Sequence, residues 1–204
     1  MPLNFDRNSN YILEDERVIL RPLQENDIEN LLIFANNEPD LWTFSLRSGA
    51  TRQGMQTYIN EALIAKAAGA EYPFIVFDKQ TNQYAGSTRF YDIQSTHSTV
   101  QVGYTFYGKA FQGTGLNKHC KYLLLQFAFE QLGAERVEFR ADNNNARSIA
   151  AMKSIGCKVE GVLRSSVIKA NGARRDSIIL SILKDEWETE VKKNLLAKLW
   201  LIVI

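Results

Sequence analysis

Cysteine is scarce in this chain: two in 204 residues, Cys120 and Cys157. Neither has a partner at metal-ligand or disulfide-framework spacing, which excludes a stapled scaffold and points to a reduced, cytoplasmic setting. Histidine is as rare, with His97 in a turn-like Ser-Thr-His-Ser stretch and His119 near the start of a helix. Both read first as surface residues. An excess of either charge is missing, since 24 Lys+Arg meet 23 Asp+Glu for a net charge of +1. That balance gives no reason to expect nucleic acid or a membrane surface as partner. The polar Met1–Tyr11 has no signal-peptide core, and the apolar Leu199–Ile204 is far too short to cross a bilayer. Repeats, low-complexity tracts and linkers are absent too. What is present is 45% hydrophobic and 11% aromatic residues, enough for a real core and against disorder. The expectation is one mixed α/β domain with a short leader and tail.

The chain organises itself around Val100–Phe129. Val100, Val102, Tyr104 and Phe106 alternate as a strand, Gln112-Gly113-Thr114-Gly115 makes a tight loop, and an apolar-striped helix opens at Leu116-Asn117. Such a loop aims unpaired N–H groups and the positive end of a helix dipole at one place, which suits a phosphate or diphosphate. Gly113 and Gly115 let the backbone approach a ligand closely. An ordinary strand-to-helix turn is the alternative.

Elsewhere the punctuation is regular. Met1–Asp15 reads as a loosely held leader, and Glu16–Leu23 as a strand ended by Pro22. Asn26 stands at an N-cap with Glu29 at capping-box spacing, before the apolar face Ile28, Leu31, Leu32 and Ala35. Trp42 and Phe44 lie in a loop, either plugging the core edge or lining a cleft. Thr51 caps a second helix that Gly69 ends. Three strands follow, Tyr72–Phe77, Tyr84–Tyr91 and Ser98–Tyr107, with a turn at Thr81-Asn82. After the loop helix, stopped by Gly133, Arg136–Arg140 reads as a strand, which implies a parallel crossover beside antiparallel neighbours. Asn145–Ile155 is a short helix, Lys158–Lys169 and Arg174–Leu183 flank the hairpin signal Asn171-Gly172, and Lys184–Trp200 turns helical again.

This order of elements resembles the GNAT N-acetyltransferase superfamily. Phe111-Gln112-Gly113-Thr114-Gly115, with its glutamine adjoining the first glycine, is closest to the Trp-Gly-x-Gly-type turn of the RimJ/RimL-like (ribosomal-protein N-acetyltransferase-like) branch. Arg17–Leu23 is similar to that branch's first strand, and Asn117–Glu130 to a subgroup reading Asn-x-x-x-Lys-x-Leu-Leu-Leu. Arg136–Arg140, Asn145-Ala146-Arg147-Ser148, Ile155-Gly156-Cys157 and Glu160-Gly161-Val162-Leu163-Arg164 continue the likeness. The resemblance implies a mostly antiparallel central sheet, splayed at an acetyl-CoA site, with flanking helices. It gives a leader over residues 1–15, the acetyltransferase domain over 16–185 and a helical tail over 186–204.

It further implies acetyl-CoA as acyl donor, no metal, and a primary amine as acceptor. That amine would be a peptide N-terminus, a ribosomal protein or a small molecule. The amides of Gln112, Gly113, Thr114, Gly115, Leu116 and Asn117 would hold the diphosphate of CoA. Asn145 would meet the pantetheine arm, and Ser148 would donate to the leaving thiolate. The pantetheine amides would pair with Gly103, Tyr104, Thr105 and Phe106, where Gly103 suits a bulge. Tyr104 borders the same cleft and is the second candidate for a catalytic role. His119, Lys118 and Lys121 could touch CoA, with the helix surface as the alternative; Arg174-Arg175 reads as a solvated pair. Where the branch reads Glu-Ile-Gly-Tyr before the loop, a glutamate candidate base, this chain reads Gln101-Val102-Gly103-Tyr104. An amide accepts no proton at useful pH. A water chain, Asp92 or Glu138 would then take the proton, or the acceptor would need little help. The alternative function is a catalytically silent acyl-CoA sensor, as a monomer or homodimer.

Overall fold

A computed structural model describes residues 2–169 and 171–200. Met1 and residues 201–204, which close the expected tail, lie outside it. An eight-stranded sheet runs in the order β1-β2-β3-β4-β5-β6-β8-β7. The strands are β1 (Leu13–Glu14), β2 (Val18–Pro22), β3 (Glu71–Asp78), β4 (Gln83–Gln94), β5 (Thr99–Tyr107), β6 (Arg136–Asp142), β7 (Lys158–Ile168) and β8 (Arg174–Leu183). Neighbours are antiparallel except β5 and β6, joined by the crossover helix α3 (Leu116–Gln126) as the strand–helix–strand pattern predicts. β3 is buried from Tyr72 to Val76 because helices cover the sheet on both sides. Phe90 of β4 turns towards Phe127 after α3, while its neighbour Arg89 turns to Tyr58 on the opposite face.

That opposite face carries α1 (Ile28–Asn37) and α2 (Arg52–Ala67). Thr51 caps α2 through its hydroxyl, which accepts from Gly54 N at 3.0 Å. The capping box before α1 is shifted from the expected place. Gln24 N donates to Asp27 Oδ2 at 2.8 Å, and Glu25–Asp27 is a 3-10 turn that delays α1 to Ile28. Asp27 wins over Glu29 because Arg21 also grips both of its oxygens, at 2.6 and 2.8 Å. α4 (Ala146–Ser154) follows β6, and α5 (Lys184–Glu186), a π turn at Trp187–Val191 and α6 (Lys192–Trp200) form one helical run.

Four expectations change. The leader is packed: Leu3 and Leu13 are buried, β1 pairs with β2, and Phe5 and Tyr11 enclose the Tyr72 ring. His119 is not at the surface, because its Nδ1 lies 2.8 Å from Asp15 Oδ2 and ties that N-terminal segment to α3. Lys121 is buried as well, at 6% exposure. Arg175 is drawn under the loop after α1, where Nη1 meets Phe44 O at 3.4 Å; only Arg174 of that pair is exposed. The C-terminal run packs on the domain, with Trp187 stacked on Phe129 and its Nε1 donating to Glu130 at 2.9 Å. Trp42 plugs the core edge against Phe106.

Candidate active site

β5 holds β4 along its length but keeps β6 for three residue pairs only, Thr99–Arg136, Val100–Val137 and Gln101–Glu138. Beyond them β6 stays with β8 out to Asp142, and β5 leaves it. The sheet therefore opens a wedge between Val102–Tyr107 and Phe139–Asp142. One edge of β5 there faces no other strand among the described residues, an arrangement that takes an extended ligand as a substitute strand.

The bend sits at Tyr104. Between the pairs Ser87–Phe106 and Arg89–Gly103, two β5 residues oppose one of β4, and Tyr104 has φ of +49°. The bulge is thus one residue after the glycine expected to carry it. Gly103 is required for another reason: a Cβ there would stand 2.7 Å from the Tyr91 ring. Tyr104 is held by the Tyr58 hydroxyl, which donates to Tyr104 O at 2.9 Å. The Arg89 guanidinium lies 4.2 Å from the Tyr104 ring centre and 4.5 Å from that of Tyr58, and pairs with Glu71 at 2.6 Å. Burial first, then the negative Glu71, raises the Tyr104 phenol above its ordinary value, so it stays protonated. Phe106 turns its ring into the core and Leu116 is wholly buried, so both present only backbone to the wedge.

The Gln112–Asn117 loop lies at the mouth of the wedge. Gly113 and Gly115 have φ of +77° and +91°, values that a residue with Cβ resists. Gln112 N is spent on Lys109 O at 3.2 Å, and Leu116 N reaches only the Thr114 hydroxyl, at 3.5 Å. The amides of Gly113, Thr114, Gly115 and Asn117 meet no protein acceptor among the described residues. Successive free amides in such a turn form an anion nest. The loop is braced from behind, where Thr114 Oγ1 donates to Phe111 O and Gln112 Nε2 to Tyr107 O, each at 2.8 Å. Arg147 of α4 donates to Gln112 Oε1 and puts a positive charge beside the nest, which spacing alone did not single out.

Asn145 caps α4, its Oδ1 accepting from Ser148 N at 3.1 Å. The Asn145 Nδ2 and the half-buried Ser148 hydroxyl have no protein partner among the described residues. On the α1/α2 face, Gln101 Nε2 donates to Asp92 Oδ2 at 2.6 Å, and the buried Gln101 Oε1 has no donor among the described residues. Asp92, with φ of +47°, is aimed there by an irregularity in β4. Glu138 is taken by Arg136 and Arg140, at 2.9 and 2.6 Å. An open polar hollow of about 350 Å³, lined by Arg47, Ser48, Thr51, Thr57 and Glu61, reaches inward to Tyr58.

A wedge in a mixed sheet with a nest of amides at its mouth fits a nucleotide thioester, and comparison with known proteins agrees. The acetyltransferase (GNAT) domain model matches residues 17–158. The chain belongs to the GNAT acetyltransferase family. It is similar to YjcK of Bacillus subtilis (strain 168), named a probable N-acetyltransferase: 28% identical over 182 residues, 87% of this chain and 99% of that one. YdaF of the same organism, assigned as a ribosomal N-acetyltransferase, is 31% identical over 105 residues, 52% of this chain and 56% of YdaF. A crystal structure assigned to an acetyltransferase from T. thermophilus superposes with a TM-score of 0.83 at 31% identity, covering 93% of this chain and 97% of that one. The GNAT fold read from the sequence is the fold observed. As a GNAT N-acetyltransferase, the chain depends on acetyl-CoA as acetyl donor.

Proposed function

We propose that this N-acetyltransferase passes the acetyl group directly to the N-terminal amine of a peptide or ribosomal protein, in a ternary complex without a covalent enzyme intermediate. Acetyl-CoA supplies the activated acetyl group as a thioester. The Gly113, Thr114, Gly115 and Asn117 amides hold its diphosphate, with Gln112 and Leu116 shaping the turn. The free edge of Gly103–Phe106 pairs with the pantetheine arm, Asn145 Nδ2 meets it from α4, and the Ser148 hydroxyl faces the sulfur. Both cysteines are buried and their thiols are pushed up to about 12, chiefly by burial, so neither is a thiolate nucleophile.

The observation that carries the amine acceptor is Gln101. Its Nε2 is committed to Asp92, and its buried Oε1 meets no donor among the described residues. An incoming ammonium is the donor that oxygen lacks, and Asp92 is the carboxylate next to it, ready to receive the proton that Gln101 does not accept. The peptide reading draws on the open hollow beside α2, which leaves room for a chain running away from its amine, and on the assigned activity of YdaF. Positioning itself supplies roughly 7–11 kcal/mol in favourable cases, so a base of modest strength is enough.

Thiol release from acetyl-CoA across peptide N-termini, polyamines and aminoglycosides tests this. Turnover on free peptide amines, abolished by blocking the terminal amine, is the expected result. Selective turnover of polyamines or aminoglycosides would replace the peptide by a small amine. Acetyl-CoA binding with no turnover across amines that active relatives accept would favour the silent sensor. Ser148→Ala lowers turnover more than CoA affinity, and equal loss of both would remove it from the leaving-group side.

A further inference from the structure

Lys121 is an ammonium in a place where lysine is costly. It lies 6% exposed on α3, beside Cys120 and Leu123–Leu125, and among the described residues it forms no ion pair. Burying an unpaired cation is strongly unfavourable. The groups around it offer no negative charge. Thr105 on β5, Phe139 on β6, Cys120 on its own helix and Cys157 after α4 surround it. Burial keeps both thiols neutral, and the Tyr107 phenol beside Cys120 is raised well above its usual value by burial and remains neutral too.

Its direction is specific. Nζ donates to Thr105 Oγ1 at 3.0 Å and lies 5.7 Å from the Phe139 ring centre. Thr105 lies past the last β5–β6 pair and Phe139 is the first β6 residue beyond it, so the ammonium bridges the two strands where they part. The Thr105 hydroxyl is itself fixed by Thr88 at 2.8 Å. One of three N–H groups is therefore used, and two remain for whatever enters the wedge.

We propose that Lys121 faces the thioester sulfur in the wedge and supplies the proton that the departing thiolate takes up. The inference rests on the wedge being the acetyl-CoA site. The acceptor nitrogen bonds to the acetyl carbon as the carbon–sulfur bond breaks and leaves its electron pair on sulfur. Lys121 Nζ gives that sulfur a proton, and the proton shed by the acceptor nitrogen restores the ammonium through solvent. An ordinary lysine, with a pKa of about 10.4, is a weaker acid than a thiol at about 8.5. Burial lowers Lys121 to about 8, which makes the transfer nearly level.

The test compares binding of CoA and desulfo-CoA, which lacks only the sulfur, to the wild type and to Lys121→Met by calorimetry near pH 8. The wild type should prefer CoA by about tenfold or more, the factor a charge-assisted hydrogen bond brings. Lys121→Met should lose most of that preference, leaving only the part that the Ser148 hydroxyl supplies, while holding desulfo-CoA as tightly as the wild type. Ultraviolet titration of bound CoA should show its thiol ionising at lower pH in the wild type than in the variant. Equal weakening of both ligands would mean a pantetheine contact or a structural role and overturns the inference. So does a preference for CoA that is undiminished in Lys121→Met. If that variant does not fold, Thr105→Val, which frees Nζ from its anchor, should reduce the preference, and an unchanged preference overturns the inference. A wild type that binds neither ligand defeats the acetyl-CoA reading itself, and this inference with it.

Discussion

Removing one hydroxyl tests how the wedge is kept open. Tyr58→Phe keeps the ring between Trp42 and Phe106, at centroid distances of 5.6 and 5.8 Å, and keeps it beneath Arg89. What goes is the 2.9 Å bond to Tyr104 O. A hydrogen bond of this kind contributes about 0.5–1.5 kcal/mol, and a carbonyl left unpaired in a half-buried place costs roughly 1–3 kcal/mol. The carbonyl belongs to a residue at φ of +49°, a conformation that itself costs about 1–3 kcal/mol. The loss therefore falls on the bond that offsets the strain of the bulge. We expect a stability loss of about 1–2 kcal/mol, or a drop of roughly 3–6 °C in Tm for a chain of this size. Thermal denaturation followed by circular dichroism measures it. Acetyl transfer should fall by no more than about tenfold, the kinetic equivalent of ~1.4 kcal/mol. An unchanged Tm would refute the claim that this hydroxyl holds Tyr104. A loss of activity far beyond tenfold at unchanged stability would show that it does chemistry instead.

Other outcomes follow from single contacts. Gly86→Ala would place a Cβ 2.0 Å from Phe106 O, so β4 and β5 must separate, and urea denaturation should show a loss of at least about 3 kcal/mol or no folded protein. Trp187→Ala removes a wholly buried ring that joins the C-terminal run to Phe129, and the same measurement should lose about 3–5 kcal/mol. Burial raises the Asp27 carboxyl, but hydrogen bonds from Arg21, Gln24 and Asn30 outweigh it and set its pKa below the ordinary value. Its contribution is complete above the unfolded value of about 3.9 and is lost as pH falls through the lower folded value. Asp27→Asn should therefore flatten the acid limb of a stability–pH profile. Lys121 shifts stability in the same direction with pH, in a higher window. With a folded pKa of about 8 against about 10.4 unfolded, the wild type binds fewer protons than its unfolded chain between them. Its stability should rise across that interval relative to Lys121→Met, and parallel profiles would show that Lys121 titrates as in the unfolded chain.

Local chemistry was legible because it acts over a few residues. Thr51 caps the helix it precedes, Gly69 and Gly133 take the left-handed turns at helix ends, and Asn171-Gly172 lies between β7 and β8. The strand–helix–strand order around α3 fixed the parallel pair, since a crossover helix allows little else. The burial of Lys121 was not legible, for a physical reason. β1 and β2, the C-terminal helix and the sheet surround α3, so His119, Cys120, Lys121 and Leu123–Leu125 are all buried and burial extends beyond the apolar stripe that marks the inward face. Gln101 was recognisable as a departure from the family pattern, but its link to Asp92 depends on an irregular register in β4, which periodicity does not encode.

The sequence by itself determined most of the elements after the leader, their order, the GNAT family and the glycine turn before α3, because propensity, capping and turn preference belong to neighbours in the chain. Tertiary structure alone decided the rest: that the bulge falls on Tyr104 and not Gly103, that Arg89 lies between two tyrosines, and that a buried ammonium bridges the parting strands. Those facts come from strands packing edge to edge and helices covering them. Which side chain meets which across that contact depends on register and burial, and neither is written in any single stretch of residues.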